Sequence, residues 1–135
     1  MALLNWSEDY SVNVREIDDQ HKKLIGYLNE LNDAMRAGNG KEVLGGILKN
    51  LVAYTSSHFA AEERLMKSNG YPDYEAHKDK HEKMTRKVLD IQKAYIDGKI
   101  ALTLEVMTFL HDWVDKHIKG TDKKYAPFLN AKGVK

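Results

Sequence analysis

Four ligand-type side chains stand in two pairs on either side of a chain-reversing break. His58 precedes Glu62 by four residues, His77 precedes His81 by four, and Asn69-Gly70-Tyr71-Pro72 lies between the pairs. On an α-helix, residues four apart are separated by about 400°, so they end only about 40° apart around the axis. Each pair therefore aims its groups from successive turns at one place. A reversal at Gly70 and Pro72 sets the two helices antiparallel and brings the four groups face to face. Imidazole nitrogen together with carboxylate oxygen suits a first-row transition metal better than Ca²⁺ or Mg²⁺, which prefer oxygen alone. The stretch reads as half of a metal site and demands a fold that supplies the other half.

Apolar periodicity outlines that fold. Residues 1–17 carry Leu4, Trp6, Tyr10, Val12, Val14 and Ile17 without a helical period, as an extended arm lying along a domain would. A first helix is expected over about 19–37, capped by Asp18 or Asp19, with Leu24, Ile25, Leu28, Leu31 and Met35 inward and His21 continuing their stripe. A second is expected over about 41–67, where Leu44, Ile47, Leu48, Leu51, Tyr54 and Thr55 lead to His58, Glu62 and Leu65. Gly45-Gly46 is a weak spot within it. A third spans about 73–96 along Tyr74, His77, His81, Met84, Val88, Ile91 and Tyr95. A fourth spans about 100–118 along Val106, Met107, Leu110, Trp113, Val114 and His117, and a short segment with Tyr125, Phe128 and Leu129 closes over the bundle.

Short breaks between these helices make sequential neighbours antiparallel, so the fold class is all-α, an up-down-up-down four-helix bundle. Residues 1–135 are expected to form a single domain. In that topology the start of the first helix, the end of the second, the start of the third and the end of the fourth share one pole. His21, His58, Glu62, His77, His81 and His117 all fall there on inward stripes. Asp122 follows His117 by five residues, about 140° away on a regular helix. It joins the others only if the helix loosens or stops between them, and a bend is expected near Gly120.

Five histidines and two carboxylates are too many for one ion and suit two. Two six-coordinate ions held by five imidazoles, two bridging carboxylates and one bridging oxygen have one position left open. One vacancy with no protein acid or base beside it holds a small molecule more readily than it processes a substrate. His111, six residues before His117 and about 240° away, is read as an ordinary surface or boundary residue. Glu63 is read as solvated, Phe59, Trp113 and Val114 as pocket wall or simple core, and the lysine-rich outer faces as serving solubility.

Composition removes other classes. Without cysteine there are no disulfides, thiolate zinc sites, cysteine-ligated iron–sulfur clusters or C-x-x-C-H haem. Net charge is +1, with 21 Lys and Arg spread among 20 Asp and Glu, which argues against nucleic acid as a partner. No run approaches the ~20 apolar residues of a membrane span, and no hydrophobic region near Met1 suits a signal peptide. A cytoplasmic protein is expected, and a monomer, since the surface stripes show no long apolar patch.

The site residues also carry a resemblance. Asp19-Gln20-His21, His58-Phe59 with Glu62-Glu63, His77 and His81, and Trp113 with His117, Ile118 and Asp122 resemble the motifs of the hemerythrin family. The likeness is to its bacterial members, close to myohemerythrin in size, and runs over nearly the whole chain. It implies the same up-down bundle and a non-haem di-iron centre (Fe²⁺/Fe³⁺) with an oxo or hydroxo bridge. By resemblance, one iron takes His77, His81 and His117, the other takes His21 and His58, and Glu62 and Asp122 bridge them. The implied function is reversible O₂ binding for storage, transport or delivery, without catalysis, O₂ entering at the iron with two histidines. A separate oxygen-consuming protein would be the recipient.

The alternative is a di-iron redox enzyme, or an O₂ or NO sensor, using the same site. The Glu-x-x-His motifs of carboxylate-rich di-iron oxidases do not occur in the chain, and 135 residues are expected to leave no room for a sensor's output domain. A structural zinc bundle fits poorly, because structural zinc takes four ligands.

Overall fold

A computed structural model describes residues 3–135, so the first two residues of the expected arm lie outside it. Four long helices follow one another: α1 (Arg15–Arg36), α2 (Lys41–Ser68), α3 (Tyr74–Ile96) and α4 (Leu104–Lys116). The chain leaves α4 through one π-helical turn at His117–Thr121 and a 3-10 turn at Asp122–Lys124, then ends in a short α5 (Ala126–Ala131). Helix α1 packs on α2, α2 on α3, and α1 on α4, and no strand occurs among the described residues. The architecture is the up-down-up-down four-helix bundle that the periodicity predicts.

Two boundaries differ from expectation. Helix α1 begins at Arg15 instead of 19, after Val14, whose side chain makes no capping bond. Asp18 is therefore inside the first turns and caps nothing. Its carboxylate accepts from the Val12 backbone N–H at 2.8 Å and the Ser11 hydroxyl at 2.6 Å, tying the arm down instead. Helix α4 begins at Leu104 instead of 100, where the Thr103 hydroxyl accepts from the Val106 N–H at 3.4 Å, as an N-cap does.

The reversal between α2 and α3 has a specific cause. Gly70 adopts φ +71°, and the Tyr71 and Gly70 N–H groups return to the Met66 and Lys67 carbonyls at 2.9 and 3.2 Å. This double closure needs a left-handed residue that only glycine adopts at little cost.

Apolar side chains gather in two clusters. The larger fills the bundle with Leu24, Leu28, Leu48, Leu51, Met84, Val88, Met107 and Leu110 among others. The smaller sits at one pole, where Val12 and Val14 of the arm and Ile17 of the first turn of α1 meet Met66, Tyr71, Tyr125 and Leu129. Arm, α2 end and α5 thus form a lid across that pole. Polar residues placed between the two clusters are sealed from both sides. Among the described residues, no helix is long and apolar enough to cross a membrane.

Candidate metal centre

The polar residues in that layer are the seven singled out by spacing. His21 comes from α1, His58 and Glu62 from α2, His77 and His81 from α3, and His117 and Asp122 from the chain beyond α4. None is more than 6% exposed. Their ligand atoms fall into two overlapping groups. One holds Glu62, His77, His81, His117 and Asp122; the other holds His21, His58, Glu62 and Asp122. Both carboxylates belong to both groups.

The spacing within the groups is informative. Asp122 Oδ1 lies 2.9 Å from His77 Nε2 and 3.0 Å from His117 Nε2, while Oδ2 lies 3.1 Å from His21 Nε2. Glu62 Oε1 lies 3.0 Å from His58 Nε2 and 3.4 Å from His81 Nε2. Two ligands about 2.1 Å from one ion and at right angles stand about 3.0 Å apart. These are the separations of neighbours in a shared coordination shell.

Most of them are not hydrogen bonds. Both ring nitrogens of His21, Nε2 of His77, His81 and His117, Glu62 Oε1 and both Asp122 oxygens are buried without a hydrogen-bond partner. Outside the cluster, Asn32 Oδ1 is the one such atom among the described residues. Each buried polar atom left unsatisfied costs about 1–3 kcal/mol, so this concentration needs a common partner. Two transition-metal cations meet the need, and the nitrogen–oxygen donor set fits iron.

The structure also explains how a five-residue step brings Asp122 beside His117. The Asp122 N–H donates to the His117 carbonyl, an i→i+5 closure that stacks the two residues as i→i+4 does in an α-helix. The expected loosening is this π-turn, and it starts at His117 itself. Gly120 lies on its exposed outer side, where an added Cβ would meet nothing within 4 Å, so glycine is not sterically required there.

Electrostatics follow from burial and proximity. For Glu62 and Asp122, burial is the largest influence and raises the pKa, yet the surrounding imidazoles outweigh it and leave both carboxyls below their ordinary values. For His58 and His117, burial again leads and favours the neutral ring, but Glu62 and Asp122 outweigh it and lift both pKa values. Tyr125 is pushed well above the phenol range by burial first and by the two carboxylates second.

Three supporting residues escaped the sequence reading. His58 Nδ1 faces Gln20 Oε1 at 2.7 Å, and His81 Nδ1 faces Glu63 Oε2 at 3.0 Å. With Nδ1–H donating outward, each ring turns its Nε2 lone pair into the site. Glu63, expected to be solvated, is thus engaged behind a ligand-type histidine, its side chain only 21% exposed. The Tyr125 hydroxyl donates to Glu62 Oε2. No spacing rule reaches these partners, because each comes from a different segment than the group it holds.

Two aromatics complete the wall. Phe59 stacks on His81 with centroids 3.9 Å apart and planes 5° apart, and Trp113 stacks on His117 at 4.5 Å and 14°. Val114 is buried core, and His111 lies outside the cluster, paired with Asp112 at 3.0 Å.

Comparison with known proteins agrees with this geometry. Residues 12–129 match the family described as Hemerythrin HHE cation binding domain. The chain is 37% identical over 132 residues to a bacteriohemerythrin of Methylococcus capsulatus, covering 97% of this chain and 100% of that one. It is 37% identical over 131 residues to a bacteriohemerythrin of Stenotrophomonas maltophilia, covering 97% of this chain and 84% of the relative. A crystal structure of wild-type hemerythrin superposes with a TM-score of 0.90 at 36% identity, covering 95% of this chain and 98% of the other.

Proposed function

The chain belongs to the hemerythrin family of di-iron proteins, and from that premise we propose that it binds O₂ reversibly at two irons held by the seven clustered residues. In this reading His77, His81 and His117 serve one iron, His21 and His58 serve the other, and Glu62 and Asp122 serve both. The observation that carries the proposal is the inequality of the two overlapping groups, three imidazoles against two around a shared pair of carboxylates. A small molecule would find room beside the ion that His21 and His58 would hold, where fewer protein groups converge.

When bound, the di-iron pair supplies the two electrons that O₂ takes on binding and returns on release. The protein's part is to hold and shield. Gln20 and Glu63 fix the rings of His58 and His81 from behind. The Tyr125 hydroxyl steadies Glu62 from the lid side. Phe59 and Trp113, laid against His81 and His117, exclude water, which would otherwise solvate charge in the site and favour irreversible oxidation. Carriage rather than catalysis is supported by closure. With all seven residues this deeply buried, a diatomic ligand reaches them through small bundle fluctuations, whereas a larger substrate needs an open cleft. The same reading takes residues 1–135 as one carrier domain that hands oxygen to a consuming protein.

The test is metal analysis and optical spectroscopy of iron-loaded, anaerobically reduced protein. Two irons per chain and a charge-transfer band that appears with oxygen and vanishes on deoxygenation are expected. A loaded protein with no such reversible band refutes the carrier reading. Steady donor-coupled turnover faster than autoxidation assigns the site to an enzyme instead.

A further inference from the structure

The carrier reading leaves one feature unused, a groove of about 340 Å³ between α3 and α4 on the outer side of His117. Lys80, Lys83 and Lys87 line one wall, and Phe109 and Trp113 line the other. The three lysines are exposed and fall at steps of three and four, hence on one face of α3. No carboxylate lines the groove. The nearest pairing is Asp79 with Lys83 at 2.9 Å, and the Lys87 ammonium stands 5.3 Å from the Phe109 ring centre. The groove on the opposite side of α3, against His81, mixes Glu63 and Glu82 with Arg86. Of the two grooves flanking α3, only this one is lined by cations without a carboxylate.

Trp113 gives that groove a connection to the interior. It is half-buried, lines the groove, and stacks nearly parallel on the buried His117 ring at 4.5 Å. An aromatic surface in contact with a ligand-type ring, rimmed by cations, has the make-up of a transient redox interface. Such interfaces are small and rely on charge steering more than buried area. The chain has no cysteine, so no internal thiol is present to return electrons to an oxidised centre.

We infer that the α3–α4 groove docks an acidic one-electron carrier protein, with Trp113 as the contact through which electrons pass to His117 and the centre behind it. Only the destination of the electron rests on the di-iron reading. Each encounter would oxidise one reduced carrier and pass one electron through Trp113 and His117, enough to take one Fe³⁺ held by the cluster to Fe²⁺. Two encounters would supply both electrons that a diferric pair takes up, with proton uptake from water balancing the charge and no bond of the polypeptide made or broken.

The probe is a plant-type [2Fe–2S] ferredoxin, chosen for its acidic surface. Binding of dye-labelled oxidised ferredoxin to iron-loaded, oxidised protein is read by fluorescence anisotropy, and reduction by reduced ferredoxin is read by stopped flow. The triple variant Lys80→Glu/Lys83→Glu/Lys87→Glu is expected to lose about tenfold or more in affinity and second-order rate at low salt, within the range of electrostatic steering. Lys49→Glu/Lys93→Glu, exposed on other parts of the bundle, is expected to stay within about twofold. Trp113→Leu is expected to slow electron transfer at saturating ferredoxin, a loss separate from any change in docking affinity, with Trp113→Phe recovering part of the rate. Equal effects of the two lysine sets, or no effect of either, overturn the assignment. So does a Trp113→Phe/Trp113→Leu pair with wild-type rates. Both arms run without oxygen. A protein that docks ferredoxin but shows no reversible oxygen band therefore fails only the carrier reading, and one with the band but no groove-dependent docking fails only this one.

Discussion

Exchanging Glu63 for glutamine isolates the charge behind His81 from the shape around it. Glu63 Oε2 sits 3.0 Å from His81 Nδ1, and Phe59 covers the ring face at 3.9 Å. A glutamine oxygen accepts the same hydrogen bond, so the ring stays in place and only the donor strength of Nε2 falls. Loss of such partners costs about 10- to 100-fold in metal affinity, or roughly 1.4–2.8 kcal/mol. Because the bond is kept and the carboxylate is partly solvated, the low end applies, about tenfold. Gln20→Glu is the converse, placing a carboxylate behind His58, where a neutral amide oxygen now stands at 2.7 Å. Anaerobic Fe²⁺ titration against a competing chelator resolves the two binding steps. Glu63→Gln is expected to weaken one ion and Gln20→Glu to strengthen the other. Unchanged affinity in Glu63→Gln, or both variants acting on the same step in the same direction, would refute the reasoning.

Tyr125→Phe removes the donor to Glu62 Oε2 inside the lid cluster and is expected to destabilise the metal-free protein by about 1.5–3 kcal/mol, the worth of a hydrogen bond to a charged group; urea denaturation giving under about 0.5 kcal/mol would show the bond is not made. The pKa shifts make opposite contributions to the stability of the metal-free protein. His58 and His117, raised above their ordinary 6.5, stabilise fully below that value and lose the contribution as pH rises through their folded values. Glu62 and Asp122, held below 4.5 and 3.8, stabilise above those values and lose the contribution as pH falls through their folded ones. The cluster's contribution therefore peaks between about pH 4.5 and 6.5 without metal. Iron requires neutral imidazoles, so melting temperatures of metal-free and iron-loaded protein should diverge with rising pH, and parallel profiles would count against metal binding at these histidines. Gly46→Ala, exposed within α2 and with no atom within 4 Å of the added Cβ, should stabilise by about 0.5–1 kcal/mol in thermal or urea unfolding.

What the sequence discloses and what it hides divide along a physical line. A cluster of ligand-type side chains is legible because each helix contributes residues at spacings set by its own pitch, and because turn glycines such as Gly70, at φ +71°, mark where direction reverses. Both signals are local, and the bundle topology adds the rest. The groups behind the ligand-type histidines obey no such periodicity. Gln20 reaches His58 across 38 residues and Glu63 reaches His81 across 18, each pairing decided by how two helices pack. Asp18 shows the same limit in reverse. Locally it is a good N-cap, but the arm offers it the Val12 N–H and Ser11 hydroxyl, and a carboxylate so engaged leaves α1 to start earlier, at Arg15. The His117–Asp122 step lies between the two cases. Its misfit to 3.6 residues per turn is visible in the numbering, so a departure from α geometry is required. Which departure occurs depends on the layer above. The π-turn at His117–Thr121 sets Asp122 beside His117, and the 3-10 turn at Asp122–Lys124 that follows it delivers Tyr125 to Glu62 in the same buried layer.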